Sequence, residues 1–210
     1  MKTYLKSIKV AQTTLLALGI GILALLPSAM VFYAPYFTSG LTASLYTLAH
    51  VSLFLVMIVR PLADLFKGVR FIRPLVILRK GMGVFSASII VSFIIKKIIM
   101  DAGAYFGSLA TVSYWSLTNL ALLAHLADIS AVLLLITSNS FSKKLLGPNW
   151  KRIQRLSYVY FYGSAFYVGI MLNDTIVLVY ALIVTVLTML AYVKNRSTAT
   201  TSSLTPATAI

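Results

Sequence analysis

The residues of this chain that could do chemistry are few, and they lie inside long apolar stretches. Its two histidines are His50 and His125, and Asp128 follows His125 by three residues. On a helix this spacing places the imidazole and the carboxyl group on one face. A carboxylate beside an imidazole raises its basicity and fixes its tautomer, so the pair could move protons or orient a haem.

His50 and His125 are also the only imidazoles that could ligate a haem iron. Along the spans given below, both lie roughly 14–20 Å from the outer end, at a helical rise of about 1.5 Å per residue. A b-haem held between the second and fourth spans is therefore geometrically allowed. The alternative is that each imidazole hydrogen-bonds a backbone carbonyl or a hydroxyl on a neighbouring helix.

Two lysines near the end of the third apolar stretch, Lys96 and Lys97, could bind an anionic substrate or a quinone head group. The alternative is that they extend to the outer interface, where Lys97 would pair with Asp101. The short side chain of Asp128 cannot reach water from the middle of a span. It must be protonated or paired, and Lys96 or His125 is its natural partner. Lys96, His125 and Asp128 thus form a candidate intramembrane polar cluster.

The composition indicates an integral membrane protein. Apolar residues make up 60% of the chain and charged residues 10%, against about a quarter charged in typical soluble domains. There is no cysteine, which excludes disulfides, thiolate metal sites and cysteine nucleophiles, and we expect no metal site. The net charge of +14 comes from short basic patches between apolar stretches, a pattern typical of membrane loops and not of a nucleic-acid-binding surface.

Six apolar stretches are each long enough to cross the hydrocarbon core, which takes about 20 helical residues. Since the backbone must satisfy its hydrogen bonds internally in lipid, these stretches are predicted to be helices. The predicted spans are residues 13–33, 41–59, 83–100, 112–136, 153–172 and 175–193.

The distribution of lysine and arginine predicts the orientation. Sixteen of the 18 basic residues lie in the N-terminal segment, in the second and fourth connections and after the sixth span. Cytoplasmic loops carry such an excess. We therefore predict an all-α, six-helix transmembrane bundle in the cytoplasmic (inner) membrane, with both termini cytoplasmic.

Three segments need a separate interpretation. The basic start and the apolar run over residues 15–26 could instead be a secretory signal peptide, but the run continues to Tyr33, longer than a typical signal core, which favours a retained helix kinked at Pro27. The connection over residues 61–80 mixes apolar and basic residues, which predicts an interfacial segment whose basic side favours anionic lipid head groups. Residues 195–210 are rich in Ser, Thr and Ala and predict a disordered cytoplasmic tail after a membrane domain over residues 1–194.

The order of several short motifs carries a family resemblance. The second span ends in Arg60-Pro61-Leu62-Ala63, and the third opens with Arg79-Lys80-Gly81-Met82-Gly83. The fourth ends in Thr137-Ser138-Asn139-Ser140, and LGPNWKRIQRLSY follows over residues 146–158. Over residues 25–172 this order resembles the ferric reductase-like transmembrane domain superfamily, and within it the haem-binding membrane subunit of the bacterial methionine-sulfoxide reductase system.

The resemblance implies a bundle that holds b-haem between histidines of spans three and five and passes electrons to an outer acceptor. Matched position by position, those histidines fall at Phe93, Gln154 and Tyr167. The expectation is therefore a degenerate member without the usual haems, acting as a membrane subunit or partner-binding protein. Its partner would be another membrane or periplasmic redox protein.

Two alternatives stay open. One is a b-haem electron-transfer subunit that uses His50 and His125 as ligands. The other is a small transporter or lipid-binding bundle built around Lys96, His125 and Asp128. Any oxidoreductase activity would need a separate electron donor, because the chain contains no flavin or nicotinamide domain.

Overall fold

The protein is helical throughout the part of the chain that its computed structural model describes, residues 1–116, 120–171 and 173–203, with side chains as far as residue 197. The helices in chain order are α1 (Lys2–Phe32), α2 (Ser39–Leu65), α3 (Ile72–Leu75), α4 (Leu78–Met100), α5 (Ala102–Leu109), α6 (Ala121–Thr137), α7 (Ser140–Leu146), α8 (Asn149–Gln154), α9 (Leu156–Met171) and α10 (Thr175–Ser203). Short 3₁₀ turns cover Ala34–Tyr36 and Val112–Trp115.

Four helical segments are long and apolar enough to cross a membrane. They are α1, α2, the segment Ile72–Met100 that contains α3 and α4, and Thr175–Ser197 of α10. The pair α6 and α7 gives a fifth candidate if it counts as one span, although the chain bends by 97° between them. The prediction of an all-helical chain is confirmed over the described residues, and four or five helices could cross a membrane, which is consistent with a multi-pass membrane protein. The count of six spans, the inner membrane and the cytoplasmic termini stay predictions.

The fourth and fifth predicted spans differ most from the helices that form. The apolar stretch counted from Val112 is a 3₁₀ turn there, and α6 begins only at Ala121. Serine and threonine interrupt this stretch, and their side chains compete for the backbone groups that a helix needs. The fifth stretch is divided at Arg155 into α8 and α9. Hydropathy alone does not register such breaks.

The two ends of the chain are also more helical than expected. Helix α1 starts at Lys2 and continues past Pro27 to Phe32. Helix α10 runs to Ser203, beyond residue 195, where the predicted tail begins. Residues 204–210 of that tail lie outside the described residues, as does Leu172 at the end of the fifth predicted span.

Five helices pack in a ring in the order α4, α2, α10, α9, α6 and back to α4. Helix α2 also touches α9 across the ring, so side chains fill its interior. Helix α4 is buried continuously from Val84 to Phe93, because α1 covers the side of α4 that faces away from the ring.

Two glycines allow α1 to pack closely along α4. A Cβ at Gly81 would lie 3.0 Å from the backbone oxygen of Gln12, and one at Gly19 would lie 3.2 Å from Val84. Both distances are at or below the range of ordinary van der Waals contacts. Since residue 12 faces residue 81 and residue 19 faces residue 84, the two helices run parallel.

The basic segments meet at one end of the molecule. The Tyr4 hydroxyl donates to the Phe71 carbonyl at 2.8 Å, which joins the start of α1 to the segment after α2. The Lys194 ammonium donates to the Leu65 carbonyl at 2.6 Å, which joins the end of α2 to α10. These contacts place the first two basic segments and the last on one side of the molecule.

Candidate functional site

His50 lies on α2 with one ring nitrogen free. Its Nδ1 is 2.9 Å from the carbonyl oxygen of Tyr46, one turn earlier on the same helix. A carbonyl can only accept, so Nδ1 carries the proton and Nε2 is an acceptor. Nε2 is buried, and among the described residues nothing hydrogen-bonds to it. A buried lone pair without a partner needs an explanation, and it could take a proton donor or a metal ion.

One turn before His50 on α2, Tyr46 packs against an aromatic side chain of α4. The ring of Tyr46 lies parallel to that of Phe93 on α4, with ring centroids 4.4 Å apart and planes 9° apart. Phe93 is buried and is the residue that the resemblance aligns with a span-three haem histidine. At that residue the structure has a phenyl ring packed on a tyrosine.

Ser86 connects three helices of the ring. Its hydroxyl donates to the Ala49 carbonyl on α2 at 2.8 Å and lies 3.0 Å from the hydroxyl of Tyr160 on α9. Because Ser86 has a single proton and Ala49 takes it, Tyr160 is the donor of the second bond. Ser86 is 0% exposed and Tyr160 3%, so both bonds lie in the core.

Ser86 was not among the candidate residues expected from the sequence. Helix α4 carries three serines with 0% exposure, Ser86, Ser88 and Ser92, and three hydroxyls in one apolar stretch were the available signal. Ser92 donates to the Ser88 carbonyl at 2.7 Å. The Ser88 hydroxyl itself is buried and finds no partner within the described ranges.

His125 lies against aromatic rings at the start of α6. Its ring is stacked flat on Tyr114 with centroids 3.5 Å apart, and Trp115 meets it edge-on at 5.8 Å. Helices α2 and α6 pack on different sides of α4, so the structure brings His125 to these rings and not to His50. Haem ligation by His50 and His125 together stays a prediction.

Asp128 lines a small pocket between α4, α5 and α6. The pocket has a volume of about 160 Å³ and is lined by Ile94, Tyr105, Asp128, Ile129, Val132 and Leu133. We call it the Asp128 pocket. His125 is one turn away on the same helix, as predicted, but no hydrogen bond or ion pair to the Asp128 carboxylate is found in the described part of the chain.

The lysines near this pocket differ from the predicted arrangement. The charged side chain that acts on the Asp128 carboxylate is Lys97, whereas Lys96 or His125 was the expected partner. Asp101, the expected partner of Lys97, instead caps α5 by accepting from the Ala104 backbone N–H at 2.8 Å. An aspartate at the first position before a helix commonly makes this bond, because the first backbone N–H groups lack acceptors.

Two tyrosines beside the Asp128 pocket have weakened acidity. Burial raises the pKa of the Tyr105 and Tyr114 hydroxyls, and the negative charge of Asp128 acts in the same direction. Both hydroxyls therefore stay protonated at neutral pH and can donate hydrogen bonds.

The residues of the 137–158 motif have structural roles. The Trp150 indole donates to the Thr137 carbonyl at 2.9 Å, and the Gln154 amide donates to the Thr137 hydroxyl at 3.5 Å. Asn139 caps α7 by accepting from the Ser142 N–H at 2.6 Å. The motif thus organises the turn between α6 and α9, and Gln154 takes part in that turn. Tyr167, the remaining matched position, is half-buried on α9.

The motifs around Pro61 and Arg79 also have structural roles. Pro61 lies inside α2 and has no N–H to donate to the helix. The Arg79 side chain donates to the Val56 carbonyl at 2.9 Å, so α4 is hydrogen-bonded to α2 about one turn before the proline.

The chain has no recognisable relative among the proteins compared. Comparisons with protein-family models, with curated proteins and with solved structures find no match.

Proposed function

We propose that this chain is a membrane subunit of the ferric reductase-like class that lacks the usual haems and acts by binding a partner in the membrane. The stack of Phe93 on Tyr46 carries the proposal. A buried phenyl ring cannot ligate iron, and Tyr46 covers it at 4.4 Å. The matched position on the third span therefore serves packing between α2 and α4.

The other two matched positions support the same function. Gln154 uses its amide in the turn before α9, and an amide is a poor iron ligand. Tyr167 offers a hydroxyl in place of an imidazole. Since none of the three positions can supply an imidazole, a bundle of this class would keep its helices without its redox centres.

Helix α1 is the element best placed for partner binding. It packs on α4 outside the ring, and its surface bears an apolar groove of about 700 Å³ whose lining includes Ala17 and Gly21. Small residues four apart let a second transmembrane helix approach closely. The partner that fits this groove is a transmembrane helix of another membrane or periplasmic redox protein.

A visible spectrum of the purified protein in a non-ionic detergent tests the loss of haem. We expect no Soret band, while a b-type cytochrome prepared in parallel from the same cells shows one. A stoichiometric Soret band that survives both His50→Ala and His125→Ala would overturn the proposal. Photo-crosslinkers at Ala17 and at Leu182 of α10 test the partner: a specific adduct at Ala17 alone supports it, and equal labelling at both contradicts it.

A second candidate function is electron transfer through b-haem bound by His50. The unpartnered Nε2 favours it, because a metal-bound histidine typically donates its other N–H to a carbonyl, as Nδ1 does here. The residues present supply this one imidazole to the interior of the ring, since His125 lies against Tyr114. A Soret band lost in His50→Ala and kept in His125→Ala would establish this function and replace the first.

A further inference from the structure

The Asp128 pocket lies on the side of the bundle that a membrane would surround. Ile129 and Leu133, which line it, are 44% and 41% exposed, and both follow Asp128 on α6. Ile94 of α4 and Tyr105 of α5 form the other walls. The pocket is therefore reached from the lipid side, near the end of the bundle where α4 meets α5.

Among the described residues that line this pocket, Asp128 is the one that carries a formal charge. Within the described ranges its carboxylate has no hydrogen bond, and Lys97 does not approach within ion-pair distance. An unpaired carboxylate among apolar side chains is costly, and a bound cation would offset that cost.

The residues that line the Asp128 pocket favour one kind of cation. One carboxylate with a tyrosine supplies few of the oxygen ligands that Ca²⁺ takes, and the apolar lining does not suit the several waters that Mg²⁺ keeps. An alkylated ammonium needs fewer polar partners and is attracted to aromatic rings, and Tyr105 provides one. A volume of about 160 Å³ equals about five water molecules at roughly 30 Å³ each, which suits a small ammonium group.

We propose that the Asp128 pocket binds a substituted ammonium group, carried by a small amine or by a lipid head group. Asp128 neutralises its charge, and Tyr105 contacts its alkyl substituents. Lys97 opposes the binding, because its positive charge acts on the same carboxylate. The inference goes beyond the proposed function and does not depend on whether the bundle holds haem.

Thermal stability of the full chain in non-ionic detergent measures the binding. Tetramethylammonium and butylammonium chloride are titrated against sodium chloride at equal ionic strength. We expect a saturable rise in melting temperature with either ammonium salt and none with sodium. Magnesium chloride, matched in the same way, should give no rise, and an equal effect of sodium or magnesium would overturn the proposal.

Variants identify the residues that bind. Asp128→Asn should weaken the ammonium effect at least about tenfold, while Asp101→Asn, a matched change that keeps the α5 cap, should leave it unchanged. Tyr105→Leu should weaken it about threefold to tenfold, and Tyr105→Phe should not. Lys97→Gln should strengthen it. If Asp128→Asn does not fold, the opposite responses of Tyr105→Leu and Lys97→Gln still test the proposal, and unchanged binding in both would overturn it.

Lipid nanodiscs separate the two sources of the group. Native mass spectrometry compares phosphatidylethanolamine with phosphatidylglycerol retained by the wild-type chain and by Asp128→Asn. Ethanolamine lipid retained only by the wild type assigns the pocket to a head group. Equal retention, together with a saturable butylammonium effect, assigns it to a small amine.

Discussion

At the scale of single residues, the donor and acceptor roles of Ser86 and Tyr160 predict that changing one residue costs more stability than changing the other. Tyr160→Phe removes a donor and leaves Ser86 bonded to Ala49, so we expect a loss of about 0.5–1.5 kcal/mol. Ser86→Ala leaves the Tyr160 hydroxyl buried without its acceptor, so the loss should be about 1–3 kcal/mol. A double-mutant cycle of unfolding free energies measures both, and a larger loss for Tyr160→Phe would contradict the assigned direction.

The sequence could predict which residues share a helix face but not what they contact. His125 and Asp128 share a helix face, as their spacing required. The expected depth of His125 rested on a span that began at Val112, whereas Val112–Trp115 is a 3₁₀ turn and α6 begins at Ala121. Ser86 was not among the expected residues, because a hydroxyl in an apolar stretch indicates burial but does not show which helix accepts its hydrogen bond.

At the scale of helices, the contact between α1 and α4 depends on the absence of a side chain at residue 81. Gly81→Ala places a Cβ 3.0 Å from a backbone oxygen of α1, so the helices must separate. We expect a loss of about 1–3 kcal/mol in unfolding free energy. Gly21→Ala is the matched control, since nothing lies within 4 Å of its Cβ position. Equal effects of the two changes would contradict the close packing.

The segment between α2 and α4 combines exposed rings with exposed charges. Phe66 and Phe71 are 49% and 63% exposed, and Arg70 and Arg73 lie between and beside them. We expect Arg70→Gln with Arg73→Gln to weaken retention of phosphatidylglycerol in nanodiscs, by about 1 kcal/mol for each charge removed.

Lys144→Gln with Lys151→Gln removes the same charge from the segment that contains α7 and α8 and serves as the control. A similar loss of lipid in both double variants would mean that net charge alone attracts the lipid.

At the scale of the whole molecule, the missing cysteines make the orientation directly measurable. Gly68 and Gly107 lie on opposite sides of α4 in the sequence, and a Cβ at either meets nothing within 4 Å. With a membrane-impermeant maleimide on intact cells, we expect Gly107→Cys to react at once and Gly68→Cys only after permeabilisation. The reverse pattern would invert the orientation, and equal labelling would contradict a crossing by α4.

The fold was predictable to the extent that hydropathy determines it. Long apolar helices followed from composition, because a backbone in lipid must bond to itself. The breaks at Leu120 and Arg155 did not follow, since they depend on local turns and leave α9 with only 16 residues. The position of α1 outside the ring depends on Gly19 and Gly81, which let α1 and α4 pack closely. The sequence does not show which helices such glycines bring together.

The order of helices around the ring has a consequence for biogenesis. Helix α2 packs on α10, where Phe54 stacks on Tyr180 with centroids 4.7 Å apart. The face of α2 that contacts α10 therefore stays uncovered until α10, the last helix, has been synthesised. A nascent chain that has inserted α1 to α9 still has open faces on α2 and α9, because α10 packs on both and is made last. Contacts between residues so far apart in the sequence also form slowly. During that interval the half-assembled bundle exposes these faces to lipid and to other chains, whereas the α1–α4 pair can form early in synthesis.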